Sequence, residues 1–203
     1  MGLSEERRNR GAWPGDWGLV VVLILIATLL MFSGDSGRAL LRFERNGIAA
    51  GEWWRLLSGH LTHMGWSHVA LNGAGLILVW YLVGTAFSAL RWLLIAAVAI
   101  ATMDTCFWFL NPDMAWYVGL SGLLHALLAA GIVARLGNIN AETAILAALV
   151  IAKLAWEQFS GPLPGSELTS GGAVIVDAHL YGAAGGVLGA LLNRITVQPH
   201  ASL

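Results

Sequence analysis

The chain has 203 residues, of which 57% are hydrophobic and only 11% charged, with a mean hydropathy of +0.70 and a formal net charge of -1. Soluble domains average about 45–50% apolar and about 25% charged residues. That contrast excludes a soluble globular domain and a disordered chain, and the balance of 11 basic against 12 acidic residues excludes a nucleic-acid binder. A single cysteine, Cys106, leaves no internal disulfide framework and no multi-cysteine metal site. Ten tryptophans and 25 glycines fit a polytopic membrane protein, because Trp collects at membrane–water interfaces and Gly is commoner in membrane helices than in soluble ones.

A spanning helix needs about 20 mostly apolar residues. The sequence predicts six, all within one domain covering 1–203: residues 17–32, 67–87, 91–110, 121–135, 142–159 and 174–192. A long first loop separates the first two spans. Asn111-Pro112-Asp113 ends the third, Asn138 and Asn140 turn the fourth into the fifth, and Gly161-Pro162-Leu163-Pro164-Gly165 breaks the fifth. The first span also reads as a signal peptide, with a basic region before a short apolar core, but no good A-x-A site follows and Trp17 suits an anchor.

Basic residues near helix ends set orientation. With both termini in the cytoplasm, Arg7, Arg8, Arg10, Arg91, Arg135 and Arg194 lie inside, and the loops after spans three and five carry no Lys or Arg. The first loop is the exception, with Arg38, Arg42, Arg45 and Arg55 outside. Its Trp53, Trp54 and Trp66 mark it as an amphipathic element lying in the interface.

Polar groups inside membrane helices are costly and point to function. Three clusters stand out: Gly119-Leu120-Ser121-Gly122 opening span four, His68-Val69-Ala70-Leu71-Asn72 opening span two, and Ala178-His179-Leu180-Tyr181-Gly182 in span six. Taken singly, a serine there is a helix cap and a histidine is a packing residue as readily as a functional one. Spans four and six also carry small residues at every fourth position, Gly122, Ala126, Ala130 and Ala134 facing Ala178, Gly182, Gly186 and Ala190. Such ridges let two helices approach closely, and Ser121 and His179 each sit one position off a ridge. Close approach brings a hydroxyl to the base that activates it, although the ridges also serve packing alone. Ser121 opens a helix, so its backbone N–H is free for a developing oxyanion. Asn72 adds amide donors, with His68 one turn away on the same face. Gly119 lets a backbone pass close to a substrate carbonyl. Span four has about 15 residues, roughly 22 Å against a hydrocarbon core of roughly 30 Å, so Ser121 is expected below the outer surface in a water-filled cavity.

With Trp54-Arg55 in the first loop, His68-x-x-x-Asn72, Gly-x-Ser121-Gly and Ala-His179-x-x-Gly182 in this order, the sequence resembles the rhomboid family of intramembrane serine proteases over nearly its whole length. The resemblance implies a Ser121–His179 dyad with no carboxylate partner. It places the oxyanion site at His68, Asn72 and the backbone of Ser121, with Leu120 beside it, and it makes span five and the loop after it the substrate gate. Many rhomboids carry, one turn after the nucleophile, a tyrosine that stacks on the histidine. Here that place holds His125, which either vacates the stacking role or transfers it to an imidazole. Gly-Leu-Ser-Gly-Leu-Leu-His looks most like the rhombosortase branch, which is associated with removing C-terminal Gly-Gly sorting tails from exported bacterial proteins. The partners so implied are the bilayer of a bacterial inner membrane and a protein substrate anchored by a C-terminal transmembrane segment, with no nucleic acid, metal or other cofactor.

His60, His63 and His68 fit no standard zinc spacing and lack a nearby acidic or cysteine partner; interface hydrogen bonding suits His60 and His63. Lys153 and Glu157, spaced i,i+4, read as a mutual pair that lowers the penalty of burial, with gating as the alternative. Asp177, two residues before His179, faces elsewhere on a helix and is not a triad member. Asp104 is expected to bond within the bundle. Two other function classes compete: a non-catalytic rhomboid-like protein that binds membrane segments or assists their quality control, and a small transporter or channel with a proton path through His68, His125, His179 and Asp104. Retention of the dyad counts against the first, and the lack of a visible inverted repeat against the second.

Overall fold

The computed structural model describes residues 17–195. Arg7, Arg8, Arg10 and His200 lie outside the described residues. In chain order the helices are α1 (Trp17–Met31), α2 (Gly34–Leu41), α3 (Arg45–Ala49), α4 (Arg55–Leu61), α5 (Trp66–Val83), α6 (Ala89–Leu110), α7 (Ser121–Ala134), α8 (Ala141–Ser160), α9 (Ser166–Ser170) and α10 (Asp177–Ile195). Two short strands, β1 (Phe43–Glu44) and β2 (Trp116–Tyr117), pair antiparallel with Phe43 opposite Tyr117.

The six longer helices, α1, α5, α6, α7, α8 and α10, correspond to the six predicted spans. Trp66–Ala86, Ala89–Leu110 and Ala141–Ser160 are long and apolar enough to cross a membrane by length and composition, whereas α1 and α7 are shorter apolar helices of 15 and 14 residues. At about 1.5 Å per residue α7 is only about 21 Å long. It is also the most enclosed helix: Leu123, Ala126, Leu127, Ala130 and Val133 are all buried. A helix that is apolar all round belongs inside a bundle.

Helix α10 packs chiefly on α7 and α6, and the small-residue ridges explain how. A Cβ on Gly182 would lie 2.1 Å from the carbonyl oxygen of Gly122, and one on Gly186 would lie 2.0 Å from that of Ala126. The two backbones are in direct contact, which only glycine permits. By contrast α8 lies at the margin, leaving Ile145, Leu149, Ile151 and Trp156 exposed.

The sixth helix starts at Asp177, three residues later than position 174. Ala178 and His179 donate their backbone N–H groups to Ile175 and Val176, and an acidic residue suits a first helical turn. Val174 and Ile175 therefore stay outside the helix.

The first loop is more structured than an interfacial helix. It holds three short helices and the strand that pairs with β2, and it exposes Leu40, Trp53 and Leu57. Its arginines are structural. Arg45 donates to the carbonyls of Phe107 (2.7 Å), Asn111 (2.9 Å) and Trp108 (3.2 Å), closing the C-terminus of α6, and lies 4.7 Å from the Trp108 ring. Arg55 is buried, bonds the carbonyls of Ala39 (2.8 Å) and Arg42 (2.9 Å), and pairs with Glu52. These cations are consumed by carbonyl groups, which accounts physically for basic residues on a loop expected to carry few. Arg135 and Arg194 do the same at the far end, on the carbonyls of Leu82 and Val133, where a cation complements a helix C-terminus.

Candidate active site

Helix α7 begins at Ser121 and helix α10 presents His179 beside it, because the glycine contact lies one turn further along α10. The Ser121 Oγ is 3.0 Å from His179 Nε2. The other ring nitrogen, Nδ1, is 2.9 Å from Glu157 Oε2 on α8. Glu157 Oε1 accepts from Lys153 Nζ at 2.7 Å, and Lys153 Nζ stands 3.4 Å from His179 Nδ1. The expected i,i+4 pair is therefore present, and it reaches the histidine as well. The expectation of a histidine without a carboxylate partner is corrected: Glu157, 3% exposed, meets it directly. Asp177 instead accepts from Asn111 Nδ2 at 2.6 Å.

His125 stacks on His179, with ring centroids 4.3 Å apart and planes at 22°. The stacking place is filled by an imidazole. His125 Nδ1 is 2.7 Å from the Ser121 carbonyl oxygen, which only a protonated Nδ1 can satisfy.

Two candidate donors, Asn72 and His68, lie beside Gly119, two residues before Ser121. Asn72 is buried and its amide Nδ2 has no hydrogen-bond partner among the described residues. Buried amide nitrogens are normally paired, and this one keeps its donors uncommitted among the described residues. His68 Nδ1 accepts from the Met64 N–H over a long 3.5 Å, which leaves Nε2 as the proton-bearing nitrogen. A Cβ on Gly119 would lie 3.0 Å from His68 Nε2 and 3.9 Å from Asn72 Nδ2. Gly119 has φ +127°, a conformation that favours glycine. Both the dihedral and the space at this position therefore require glycine. Leu120 is buried at the N-cap position of α7 and orients the turn. Gly122 seats α7 against Met103 and the Ala178 carbonyl.

Ser121 and His68 open on a cavity of about 250 Å³ whose other walls are Met64, the Met114–Val118 stretch, and Ser170 with Ala173–Ile175, while Asn72 borders a smaller space beside His63 and Leu120. The segment displaced from the sixth helix thus forms one wall.

A family model described as Rhomboid domain matches residues 50–194. The chain belongs to the rhomboid family. It is 32% identical over 124 residues to rhomboid protease GluP of Bacillus subtilis (strain 168), an alignment covering 59% of this chain and 24% of that protein. The chain thus spans about a quarter of that relative's length. Family membership and the apolar helices make it a multi-pass membrane protein.

Sequence reasoning missed two contributors to this rhomboid site. Tyr117, fully buried on β2, donates its hydroxyl to the Gly119 carbonyl at 2.6 Å. Burial pushes that phenol above the usual tyrosine range, so it stays a donor. Nothing local in Trp-Tyr-Val-Gly reveals this, since the strand exists only through its pairing with the first loop. The other is Glu157, 22 residues from His179 in sequence. His60 and His63 are fully buried rather than interfacial: His60 Nε2 meets Asp104 at 3.0 Å, joining α4 to α6, and His63 Nδ1 donates to the Leu61 carbonyl at 3.0 Å.

Proposed function

We propose that the protein is an intramembrane serine endopeptidase. The observation that carries this reading is the Ser121–His179 contact, with His68 on the same cavity as Ser121 and the Asn72 amide, unpartnered among the described residues, one turn from His68. Ser121 Oγ attacks the scissile carbonyl carbon while its proton passes to His179 Nε2. The resulting oxyanion takes hydrogen bonds from Asn72 Nδ2, His68 Nε2 and the backbone N–H of Ser121. Expulsion of the amine takes the proton back from His179 and leaves an acyl-enzyme at Ser121. Water, deprotonated by the same nitrogen, then releases the acid.

The substrate is a membrane-anchored protein cut just outside its anchor. A nucleophile at the end of a helix of about 21 Å does not reach a folded domain in water. It does reach a chain that unwinds at the interface. Each Gly destabilises a helix by about 1 kcal/mol relative to Ala, and Gly brings no side chain into the narrow space beside Gly119. Small residues, a Gly-Gly pair of a C-terminal sorting tail above all, suit this site and agree with the rhombosortase resemblance. With both termini cytoplasmic in a bacterial inner membrane, the cavity opens toward the periplasm and cleavage releases the exported domain.

The test uses reconstituted protein with a fusion carrying a Gly-Gly tail, and the same fusion carrying Leu-Leu. Wild type cleaves the first in preference, and Ser121→Ala and His179→Ala each abolish cleavage. The double variant is no worse than either single, because residues acting as a unit are non-additive. Substantial cleavage by Ser121→Ala would sink the serine protease reading, and no cleavage by wild type would favour a non-catalytic membrane-segment binder. Equal cleavage of the two tails defeats the substrate assignment.

A further inference from the structure

A histidine that takes a proton from serine at Nε2 must hold its own proton on Nδ1. Two groups contend for Nδ1 here. Glu157 Oε2 is 2.9 Å away and, as a carboxylate, only accepts. Lys153 Nζ is 3.4 Å away and, as an ammonium, only donates. The first selects the productive tautomer with a free Nε2; the second selects the opposite one, which leaves Ser121 facing an N–H. Resting on the serine endopeptidase reading above, we propose that Glu157 is the positioning residue of a Ser121–His179–Glu157 relay, holding the proton on Nδ1 and drawing Lys153 off the imidazole.

The geometry supports this at each contact. Glu157 uses its two oxygens separately, Oε1 for Lys153 at 2.7 Å and Oε2 for His179 at 2.9 Å. Lys153 thereby supplies the counter-charge that lets a carboxylate sit buried in a membrane bundle, and its 2.7 Å bond to Oε1 is much shorter than its 3.4 Å approach to the ring. When His179 becomes an imidazolium, the same carboxylate lies on its new charge. His125, stacked on the ring face, fixes the plane in which both bonds are made. The two contributions are distinct: stacking sets the ring plane, and the carboxylate sets which nitrogen bears the proton.

The rival reading is a metal ion held by His125, Glu157 and His179, whose ligand atoms lie within 4.8 Å of one another. Ring geometry argues against it. Imidazole lone pairs lie in the ring plane, and two stacked rings at 22° point theirs nearly parallel rather than at one centre. Both nitrogens of His179 are also already engaged.

The experiment compares wild type, Glu157→Gln, Glu157→Asp and Lys153→Met in detergent. It reads kcat and KM on the Gly-Gly fusion and the rate at which a fluorophosphonate labels Ser121. Glu157→Gln is expected to lower kcat and labelling together by about 100-fold or more at nearly unchanged KM; fixing the wrong tautomer in a soluble serine protease costs about 10⁴-fold. Glu157→Asp keeps a carboxylate and retains more activity than Gln, and Lys153→Met loses less than Glu157→Gln. Should Glu157→Gln fail to fold, ¹⁵N-histidine NMR of the wild type decides alone: a proton on His179 Nδ1 is expected, and one on Nε2 overturns the proposal. Loss of wild-type activity in EDTA that zinc restores also overturns it, in favour of the metal. If wild type neither cleaves nor labels, the endopeptidase reading fails. If wild type does both and Glu157→Gln matches it, only the role of Glu157 fails.

Discussion

Gly182→Ala isolates the contact between α10 and α7 from the chemistry it supports. The added Cβ would lie 2.1 Å from the Gly122 carbonyl oxygen, and real Cβ contacts essentially never fall below 3.0 Å. Backbone sits on both sides, so no flexible side chain can yield. The helices must part by about 0.9 Å, from 2.1 to 3.0 Å. His179 lies one turn from this point and moves with α10. Overpacking of this kind costs about 1–3 kcal/mol, while exchanging Gly for Ala in a helix returns about 1 kcal/mol. Net stability therefore falls only slightly. Turnover falls much further, because a misplacement of about 1 Å in a reacting pair costs about 100-fold. The assay pairs thermal stability in detergent with the rate of fluorophosphonate labelling of Ser121 and cleavage of the Gly-Gly fusion. Gly73→Ala on α5 is the control, since its Cβ meets only Ile24 at 3.9 Å, and it leaves both readouts near wild type. Wild-type labelling and cleavage by Gly182→Ala would refute the claim that backbone contact sets the Ser121–His179 distance.

Asn72→Ala should lower kcat by about 100- to 1,000-fold, the usual loss for one oxyanion donor, with little change in KM; a normal kcat with raised KM would assign Asn72 to ground-state binding. His125→Tyr, which preserves a stacking ring, should retain more activity than His125→Ala in the same cleavage assay, and full activity of both would reduce His125 to packing. His63, outside the spans, is pushed down to about 3, first by burial and second by the neighbouring His68. An unfolded histidine titrates near about 6.5, so this stability is complete above that pH and is lost progressively as pH falls toward about 3, by up to about 1.4 kcal/mol per pH unit. His63→Gln should flatten the acid branch of a plot of thermal midpoint against pH, and an unchanged branch would contradict the assignment.

The six longer helices and the small-residue faces of α7 and α10 were legible because both are local patterns. An apolar run of about 20 residues reports a membrane helix, and glycine at every fourth position reports a close-packed face. Ser121, His179, His68 and Asn72 stood out as candidates for a related reason: each is a polar group in the first turns of an apolar helix. What failed were contacts between distant segments that no local pattern marks. Residues 43–44 and 116–117 carry no strand periodicity, and they become β1 and β2 only because each finds the other. Tyr117 was invisible with them. His60 and Asp104, 44 residues apart, became partners only once α4 entered the bundle.

Glu157 shows the same limit most sharply, since its sequence context offered an explanation that was correct and only half of the whole. Lys153 lies four residues earlier, and the two do form an ion pair at 2.7 Å. A carboxylate has two oxygens, however, and one lysine does not exhaust them. In water the second oxygen is solvated without consequence. In a buried site, 3% exposed, it requires a partner of its own, and that partner must be a donor from another helix. A buried i,i+4 ion pair inside a membrane bundle is thus an incomplete account by construction. The unassigned oxygen predicts a third group, and in a chain with His179 at the matching depth of a neighbouring helix the donor is the imidazole N–H.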